Sequence, residues 1–170
     1  MIKRTLSKHL VYLSTKFPIV TLTGPRQSGK TTLIKSIFSS KNYVSLEDPD
    51  VREFATIDPR GFLNHYKEGA VIDEIQHVPA LFSYIQTRVD ESKRMGEFVL
   101  SGSQNFLLLE KIAQSLAGRS AIAHLLPLSI HELLSANYTF ENAFNLIQKG
   151  FYPRIYDKDI RLSDWSYSSI

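Results

Sequence analysis

The chain has 170 residues with a formal net charge of +3, and 43% of its residues are hydrophobic while 22% are charged. This length and composition predict one domain with a core of ordinary size, and the absence of cysteine excludes disulfides, thiolate zinc sites and cysteine nucleophiles. The basic residues are scattered from Lys3 to Arg161, which favours a solvated basic surface over a dedicated nucleic-acid groove.

The N-terminal residues predict an amphipathic helix rather than a targeting segment. Leu6, Leu10 and Leu13 recur at helical spacing, so residues 3 to 15 are predicted to form a helix placed before the core. The longest apolar run here, LVYL, is too short for the h-region of a signal peptide, and no segment approaches the length needed to span a bilayer. We therefore expect a cytoplasmic protein without membrane contact.

Five short apolar runs alternate with helical patterns along the chain. The predicted strands are IVTLT (19 to 23), NYVSL (42 to 46), GAVIDE (69 to 74), EFVLSGS (97 to 103) and SAIAHLLP (120 to 127). These runs are almost continuous in apolar residues, as expected for strands that are buried on both faces. The alternation of strands and helices predicts an α/β fold with a parallel sheet covered by helices on both sides.

The helices between the strands are predicted from capping residues and apolar periodicity. Asp48-Pro49 and Asp58-Pro59 each pair an N-cap acceptor with a proline suited to the first helical turn, so two short helices should begin there. Pro79 opens a helix whose apolar residues share one face. Leu33, Ile34, Ile37 and Phe38 give one apolar face to the helix predicted after the first strand, and a further helix is predicted over NFLLLEKIAQSLAG (105 to 118).

The segment GPRQSGKTT lies between the first predicted strand and the next helix, and it fits the phosphate-loop pattern G-x-x-x-x-G-K-[ST]. Backbone N–H groups of such a loop surround a phosphate where a Cβ would intrude, and the following helix directs its positive end at the same anion. The glycine spacing is not that of a dinucleotide-binding turn. The candidate nucleotide-binding residues are Gly24, Pro25, Arg26, Gln27, Ser28, Gly29, Lys30, Thr31 and Thr32.

Two of these residues have specific expected roles. Lys30 is expected to bridge the β- and γ-phosphates, and Thr31 is expected to ligate Mg²⁺ through its hydroxyl. The side chain of Arg26 has two equally good interpretations, facing either the phosphates or solvent.

Asp73 and Glu74 follow the third predicted strand, at the end of an open α/β sheet where ligands bind. Asp73 is expected to organise the magnesium shell, and Glu74 is expected to polarise an attacking water. The alternative for Glu74 is a solvated surface carboxylate. Because a phosphate loop lies about 40 residues upstream, the acidic pair favours hydrolysis over nucleotide binding alone.

Polar residues at the end of the fourth predicted strand are further candidates. Ser103, ahead of Gln104, is a candidate to orient the water or to sense the γ-phosphate, and Ser101 and Asn105 lie at the same tip. The alternative is a turn or a helix cap before FLLLEK.

Arg119 lies between a helix and a strand. There its charge could stabilise the transition state within the chain or from a neighbouring subunit. The alternative for such an arginine is a surface salt bridge.

The last 33 residues contain eight aromatic residues mixed with Lys149, Arg154, Lys158 and Arg161. Aromatic and basic residues in this arrangement can stack on and neutralise single-stranded nucleic acid. The favoured alternative is that the rings pack on the core or on a partner surface.

With these motifs in place, the chain resembles the AAA-type P-loop ATPases of bacteria and archaea in which a nucleotide domain precedes a C-terminal domain of unknown function. The resemblance runs from about residue 3 to residue 135. It rests on LTGPRQSGKTTL, YVSLEDPDVREFATIDPRGFL, VIDEIQHVPALF, FVLSGSQNFLL and LAGRSAIAHLLPLSIHEL, which occur in the family's order.

The resemblance implies a three-layer P-loop fold with a sheet of about five strands in the order 5-1-4-3-2. It places Lys30 and Thr31 at the phosphates and magnesium, and Asp73 and Glu74 at the metal and the water. It also implies a polar sensor near Ser103 and makes Arg119 the arginine to test. The implied ligands are ATP and Mg²⁺.

The resemblance also predicts how the chain is organised. Residues 1–150 should form the ATPase domain, and residues 151–170 should lead toward a second domain. Chains of this family continue for a further couple of hundred residues, and DWSYSSI resembles the point where that domain begins. We therefore expect a fragment or a reduced relative, in which a homo-oligomer or activity with a partner would depend on the missing part.

Several functions are compatible with these motifs. The first hypothesis is magnesium-dependent ATP hydrolysis, with adenine preferred because no Asn-Lys-x-Asp motif occurs. The alternative is a nucleotide-gated interaction switch with negligible turnover. A small-molecule kinase ranks lower, because Glu74 beside Asp73 suits water better than a phosphoryl acceptor. Nucleic-acid binding by the C-terminal residues is compatible with the first hypothesis.

Overall fold

The fold is built on one parallel sheet, which a computed structural model describes together with its helices over residues 2–103 and 114–157. The five strands lie in the order β2-β3-β4-β1-β5. Read from the other edge, this is the order 5-1-4-3-2, so the predicted topology is confirmed. The strands are β1 (Ile19–Gly24), β2 (Asn42–Ser45), β3 (Ala70–Asp73), β4 (Phe98–Ser103) and β5 (Ser120–His124).

The described helices lie before β1, between the strands and after β5. They are α1 (Leu6–Ser14), α2 (Lys30–Ile37), α3 (Pro49–Ile57), α4 (Pro59–His65), α5 (Leu81–Ser92), α6 (Ile130–Ser135), α7 (Ala143–Lys149) and α8 (Pro153–Asp157), with one 3₁₀ turn at Ile75–His77. Among the described residues, none of these helices has the length and apolar character needed to cross a bilayer. The helix predicted over 105–118 falls mostly outside the described residues.

Two apolar clusters, one on each face of the sheet, form the main core. Val20 and Leu22 of β1 pack with buried residues of α1 and α2, while Ile19 packs with residues of α3, α4 and α5. These strand residues are fully buried, as expected for a sheet covered on both sides. The predicted three-layer α/β architecture is therefore confirmed.

A third cluster brings the two ends of the described chain together. Ile2 packs with apolar residues of the segment 128–156, among them Leu128 and Tyr156. The rings of Tyr138 and Tyr156 meet edge to face with centroids 5.1 Å apart. The expectation that C-terminal rings pack on a core is thus confirmed for these two tyrosines. The packing continues across position 150, where we predicted the ATPase domain to end, and that boundary stays a prediction.

Candidate functional site

The candidate residues of the phosphate loop and the two acids meet at the carboxyl edge of the sheet. The register pairs Gly24 at the end of β1 with Ser103 at the end of β4, and it pairs Ser45 with Asp73 across β2 and β3. Because all the strands are parallel, the polar residues that follow them share one edge. This is the edge at which open α/β sheets bind ligands.

The backbone of the phosphate loop requires glycine at both ends. Gly24 has φ +151°, and a Cβ there would overlap the carbonyl oxygen of Leu125. Gly29 has φ +91° and is the N-cap of α2, so the loop turns directly into the helix. Gln27 adds a third positive φ, at +63°. A loop of this shape leaves room for an anion where side chains would otherwise intrude.

Lys30 lies folded back over the loop. Its Nζ donates hydrogen bonds of 3.0 Å to the carbonyl oxygens of Gly24 and Pro25. Burial lowers the pKa of Lys30, although the charges of Glu74 and Asp73 act in the opposite direction. The ammonium group is therefore held at the loop by backbone carbonyls, close to both acids.

The remaining loop side chains differ in exposure. Arg26, Gln27 and Thr32 are exposed, and both interpretations of Arg26 stay predictions. Ser28 is fully buried, and its Oγ has no hydrogen-bond partner among the described residues. An unsatisfied buried hydroxyl beside a glycine-rich turn fits a loop that completes its hydrogen bonds with a bound anion.

Asp73 is the centre of a hydrogen-bond network. Its Oδ2 accepts from Thr31 Oγ1 at 2.7 Å and from the hydroxyl of Tyr43 at 2.9 Å. Its Oδ1 accepts from Ser101 Oγ and from the backbone N–H of Glu74, the latter at 3.1 Å. The structure therefore brings the two predicted metal residues, Thr31 and Asp73, into direct contact. Carboxylate and hydroxyl oxygens of this kind are suitable Mg²⁺ ligands.

Glu74 is held in an unusual backbone conformation. It has φ +55°, in the left-handed region that non-glycine residues rarely adopt. Its Oε2 accepts from Gln76 Nε2, which also lies 3.3 Å from Ser103 Oγ. Two of the predicted catalytic residues, Glu74 and Ser103, are therefore linked through one amide. Gln104 and Asn105, the other candidates at this tip, lie outside the described residues.

Two exposed polar side chains, Glu47 and His77, flank Glu74. His77 Nε2 lies 3.1 Å from Glu47 Oε2. Glu47, Glu74 and His77 each place one potential ligand atom within 4.8 Å of the others. The contact between Glu47 and His77 links the turn after β3 to the loop after β2.

Arg119 does not lie at this edge. Its backbone oxygen accepts from Ile19 N at the beginning of β1, and its guanidinium forms two hydrogen bonds to Asp90, of 2.6 and 2.8 Å. The length of β1 separates it from the phosphate loop by roughly 16 Å. A role for Arg119 at the loop of its own chain therefore has no geometric support. The role from a neighbouring subunit stays a prediction.

Four residues at or behind the site were missed by the sequence analysis. Tyr43 and Gln76 lie within the segments YVSL and VIDEIQ, but the contacts of Tyr43 with Asp73 and of Gln76 with Ser103 depend on strand register rather than on a motif. Arg4 and Glu132 meet behind the phosphate loop although 128 residues separate them. The spacing of residues in the sequence does not predict a contact between two residues that are so far apart in the chain.

Comparisons with known proteins agree with this geometry. Residues 16–134, more than half of the chain, match the AAA domain family. Two uncharacterized proteins, from Mycobacterium tuberculosis and Mycobacterium bovis, are each 32% identical over 120 residues, which is 70% of this chain and 27% of each relative. The matched segment thus spans about a quarter of the length of these relatives.

Solved structures show the same fold at low sequence identity. AMPPCP-bound DnaA from Aquifex aeolicus has a TM-score of 0.59 and 13% identity, and the match covers 92% of this chain and 58% of that one. A Walker-type ATPase of Pyrococcus abyssi has a TM-score of 0.55 and 16% identity, with 82% and 60% covered. The chain belongs to the AAA domain family, and its described fold is that of an AAA-type P-loop ATPase domain.

Proposed function

We propose that this domain binds ATP with Mg²⁺ at the phosphate loop, residues 24–32, and hydrolyses it, with Glu74 as the base that activates water. The observation that carries the proposal is the contact of Thr31 with Asp73 directly beside Glu74. It joins the phosphate loop to the acids in one site. The absence of an Asn-Lys-x-Asp motif supports adenine over guanine.

Each residue of the site has its own proposed role in phosphoryl transfer. The backbone N–H groups of the loop and Lys30 would hold the phosphates, while Thr31 and Asp73 would hold Mg²⁺. Mg²⁺, when bound, neutralises phosphate charge. Glu74 accepts a proton from the attacking water as oxygen bonds to the γ-phosphorus and the bond to ADP breaks.

Gln76 and Ser103 are placed to control Glu74. The Gln76 amide donates to the Glu74 carboxylate, so it restrains the group that must accept the proton. Ser103 lies on the other side of the same amide, where a polar group can sense the γ-phosphate. This restraint also favours the alternative function, a nucleotide-gated interaction switch with negligible turnover. The proposal also includes three parts that await a test. These are the client of the domain, a homo-oligomer, and the action of Arg119 at the site of a neighbouring subunit.

Glu74→Gln tests the proposed base. The variant keeps the size of the side chain but cannot accept the proton, so ATP turnover should fall roughly 10²- to 10⁴-fold. ATP affinity should stay within a few fold, because Glu74 is not expected to hold the phosphates. Phosphate release measures turnover, and a fluorescent ATP analogue measures affinity.

Glu53→Gln on the exposed surface of α3 is the matched control and should leave both quantities unchanged. Equal turnover by the wild-type protein and Glu74→Gln would show that Glu74 is not the base. Tight ATP binding by the wild-type protein without measurable turnover would favour the switch.

A further inference from the structure

A buried ion pair lies behind the phosphate loop. Arg4 Nε and Glu132 Oε1 are 3.2 Å apart, and their side chains are only 7% and 6% exposed. The pair joins the segment before α1 to the first turn of α6. Removing one partner of a buried ion pair leaves an uncompensated charge, so such a pair fixes the elements that carry it.

The guanidinium of Arg4 also holds the phosphate loop. Its Nη1 donates to the carbonyl oxygen of Ser28 at 2.8 Å, and its Nη2 donates to the carbonyl oxygens of Leu126 at 2.6 Å and Pro127 at 3.2 Å. One planar group therefore ties the loop to the segment that follows β5. A lysine has a single donor atom and cannot make these contacts together.

Glu132 is held as firmly as Arg4. Its Oε1 accepts from the N–H and the hydroxyl of Thr5 at 2.8 and 2.7 Å, and its Oε2 accepts from Ser129 N at 2.9 Å in a capping box. Burial alone would raise the pKa of Glu132, but hydrogen bonds from Ser129 and Thr5 and the charge of Arg4 outweigh it and lower the pKa to about 2. The carboxylate is therefore ionised at neutral pH.

The helix α8, which follows Glu132 in the chain, begins beside the same loop. A Cβ at Gly29 would lie 3.7 Å from Pro153 Cγ and 3.8 Å from Arg4 Nη1. Leu128 N donates to the carbonyl oxygen of Phe151 at 2.7 Å, which links this segment to the chain before α8. The third apolar cluster of the core, which contains Ile2, packs around these contacts.

We propose that Arg4 and Glu132 are positioning residues for the phosphate loop, through which nucleotide binding and the helical segment 130–157 are coupled. Arg4 fixes the Ser28 carbonyl and so the orientation of the adjacent peptide groups that face the phosphates. Glu132 sets the position of Arg4, and α6 carries Glu132. The inference rests on the proposed function, because the coupling needs nucleotide at this loop.

Arg4→Lys and Glu132→Gln test the inference. Arg4→Lys keeps the charge but loses the forked geometry, and Glu132→Gln keeps the shape but loses the charge. Each variant should weaken ATP binding on the order of tenfold, within the range of ordinary coupling between sites. KM should rise while kcat changes less, because the reacting groups are untouched. Circular dichroism confirms that each variant is folded.

Glu97→Gln is the matched control for loss of a buried carboxylate. Glu97 is fully buried and pairs with Arg88 and Arg94 at the opposite edge of the sheet, before β4 begins. This variant should lower the melting temperature but leave ATP affinity unchanged. Loss of ATP affinity in all three variants alike would overturn the inference, because it would reflect general destabilisation.

If a variant does not fold, hydrogen exchange on the wild-type protein tests the coupling between the phosphate loop and the helical segment. ATP should slow exchange in residues 130–135 as well as in 24–31, and Lys30→Ala should abolish both effects. The inference is overturned if wild-type protein binds ATP while folded Arg4→Lys and Glu132→Gln bind it within twofold as tightly, or if residues 130–135 do not respond. Failure of the proposed function is distinct, because the wild-type protein itself would then bind no ATP.

Discussion

At the scale of single residues, Asp73 depends on a tyrosine that no phosphate-loop motif includes. The carboxylate is 2% exposed and accepts hydrogen bonds from four groups, one of which is the hydroxyl of Tyr43. Lys35 Nζ lies 3.7 Å from the centroid of the Tyr43 ring and holds the ring from the α2 side. Tyr43 is therefore part of the structure that orients Asp73 toward Thr31.

Tyr43→Phe should change the alkaline stability of the protein. Burial, followed by the hydrogen bond to Asp73, raises the pKa of Tyr43 to about 12. Between about pH 10 and that value the unfolded chain loses the phenolic proton while the folded state keeps it, so stability present below pH 10 is lost as the pH rises. The free energy of unfolding of Tyr43→Phe should fall less steeply over this window. Urea denaturation at several pH values measures the slope.

Tyr12→Phe provides the control, because it removes an exposed phenol on α1. Identical slopes for Tyr43→Phe and Tyr12→Phe would contradict a raised pKa at Tyr43.

Single residues also show where sequence patterns stop being informative. Gly24, Gly29 and Lys30 are recognisable from a motif because their requirements are local. The two glycines adopt positive φ, and the lysine supplies a positive charge next to the loop. Tyr43 contacts Asp73 on a neighbouring strand, and Gln76 reaches Ser103 at the end of another, so these two contacts depend on a register that the sequence does not state. Arg119 directly precedes β5, so it lies at the N-terminal end of the parallel strands, opposite the site. Its pairing with Asp90 brings together residues 29 positions apart.

At the scale of elements, the predicted helix starts agree with the capping contacts. Asp48 accepts from the backbone N–H of Asp50, and Asp58 accepts from that of Gly61 at 2.8 Å. Both helices begin at the predicted proline. These starts were predictable because an N-cap is a local contact, whereas the strand order came from family resemblance and needed long-range pairing to be confirmed.

Asp58→Ala should destabilise the protein without affecting nucleotide binding. Loss of the N-cap acceptor costs about 1 kcal/mol. For a domain of this size that corresponds to a melting temperature lower by roughly 2–4 °C. Differential scanning calorimetry measures the change. Glu53→Ala in the exposed middle of α3 is the control and should not lower the melting temperature, so an equal loss in both variants would contradict the capping role.

At the scale of the whole molecule, the N-terminal residues and the C-terminal helices lie together behind the phosphate loop. Ile2 and Tyr156 share one apolar cluster, and Arg4 and Glu132 form the ion pair beside it. The sequence predicted a helix over 3–15, but the structure begins α1 at Leu6, after Arg4 and Thr5, which both bond to Glu132. The residues before α1 are thus part of the nucleotide domain's architecture.

The exposed apolar residues of the C-terminal helices remain outside this packing. Phe144 is 72% exposed and Ile147 is 73% exposed, both on α7. Single-stranded nucleic-acid binding by this region is the less favoured interpretation of the sequence, and it stays a hypothesis. A steep loss of affinity with salt would support it.

The central claim is that the phosphate loop, residues 24–32, binds ATP through Lys30. Isothermal titration with ATP and Mg²⁺ should show binding by the wild-type protein and equal binding by Lys8→Ala, which removes an exposed lysine of α1. Lys30→Ala should bind roughly tenfold or more weakly, because it loses a charged hydrogen-bond donor to the phosphates. Equal affinity of Lys30→Ala and Lys8→Ala, or no binding by the wild-type protein, would contradict the claim.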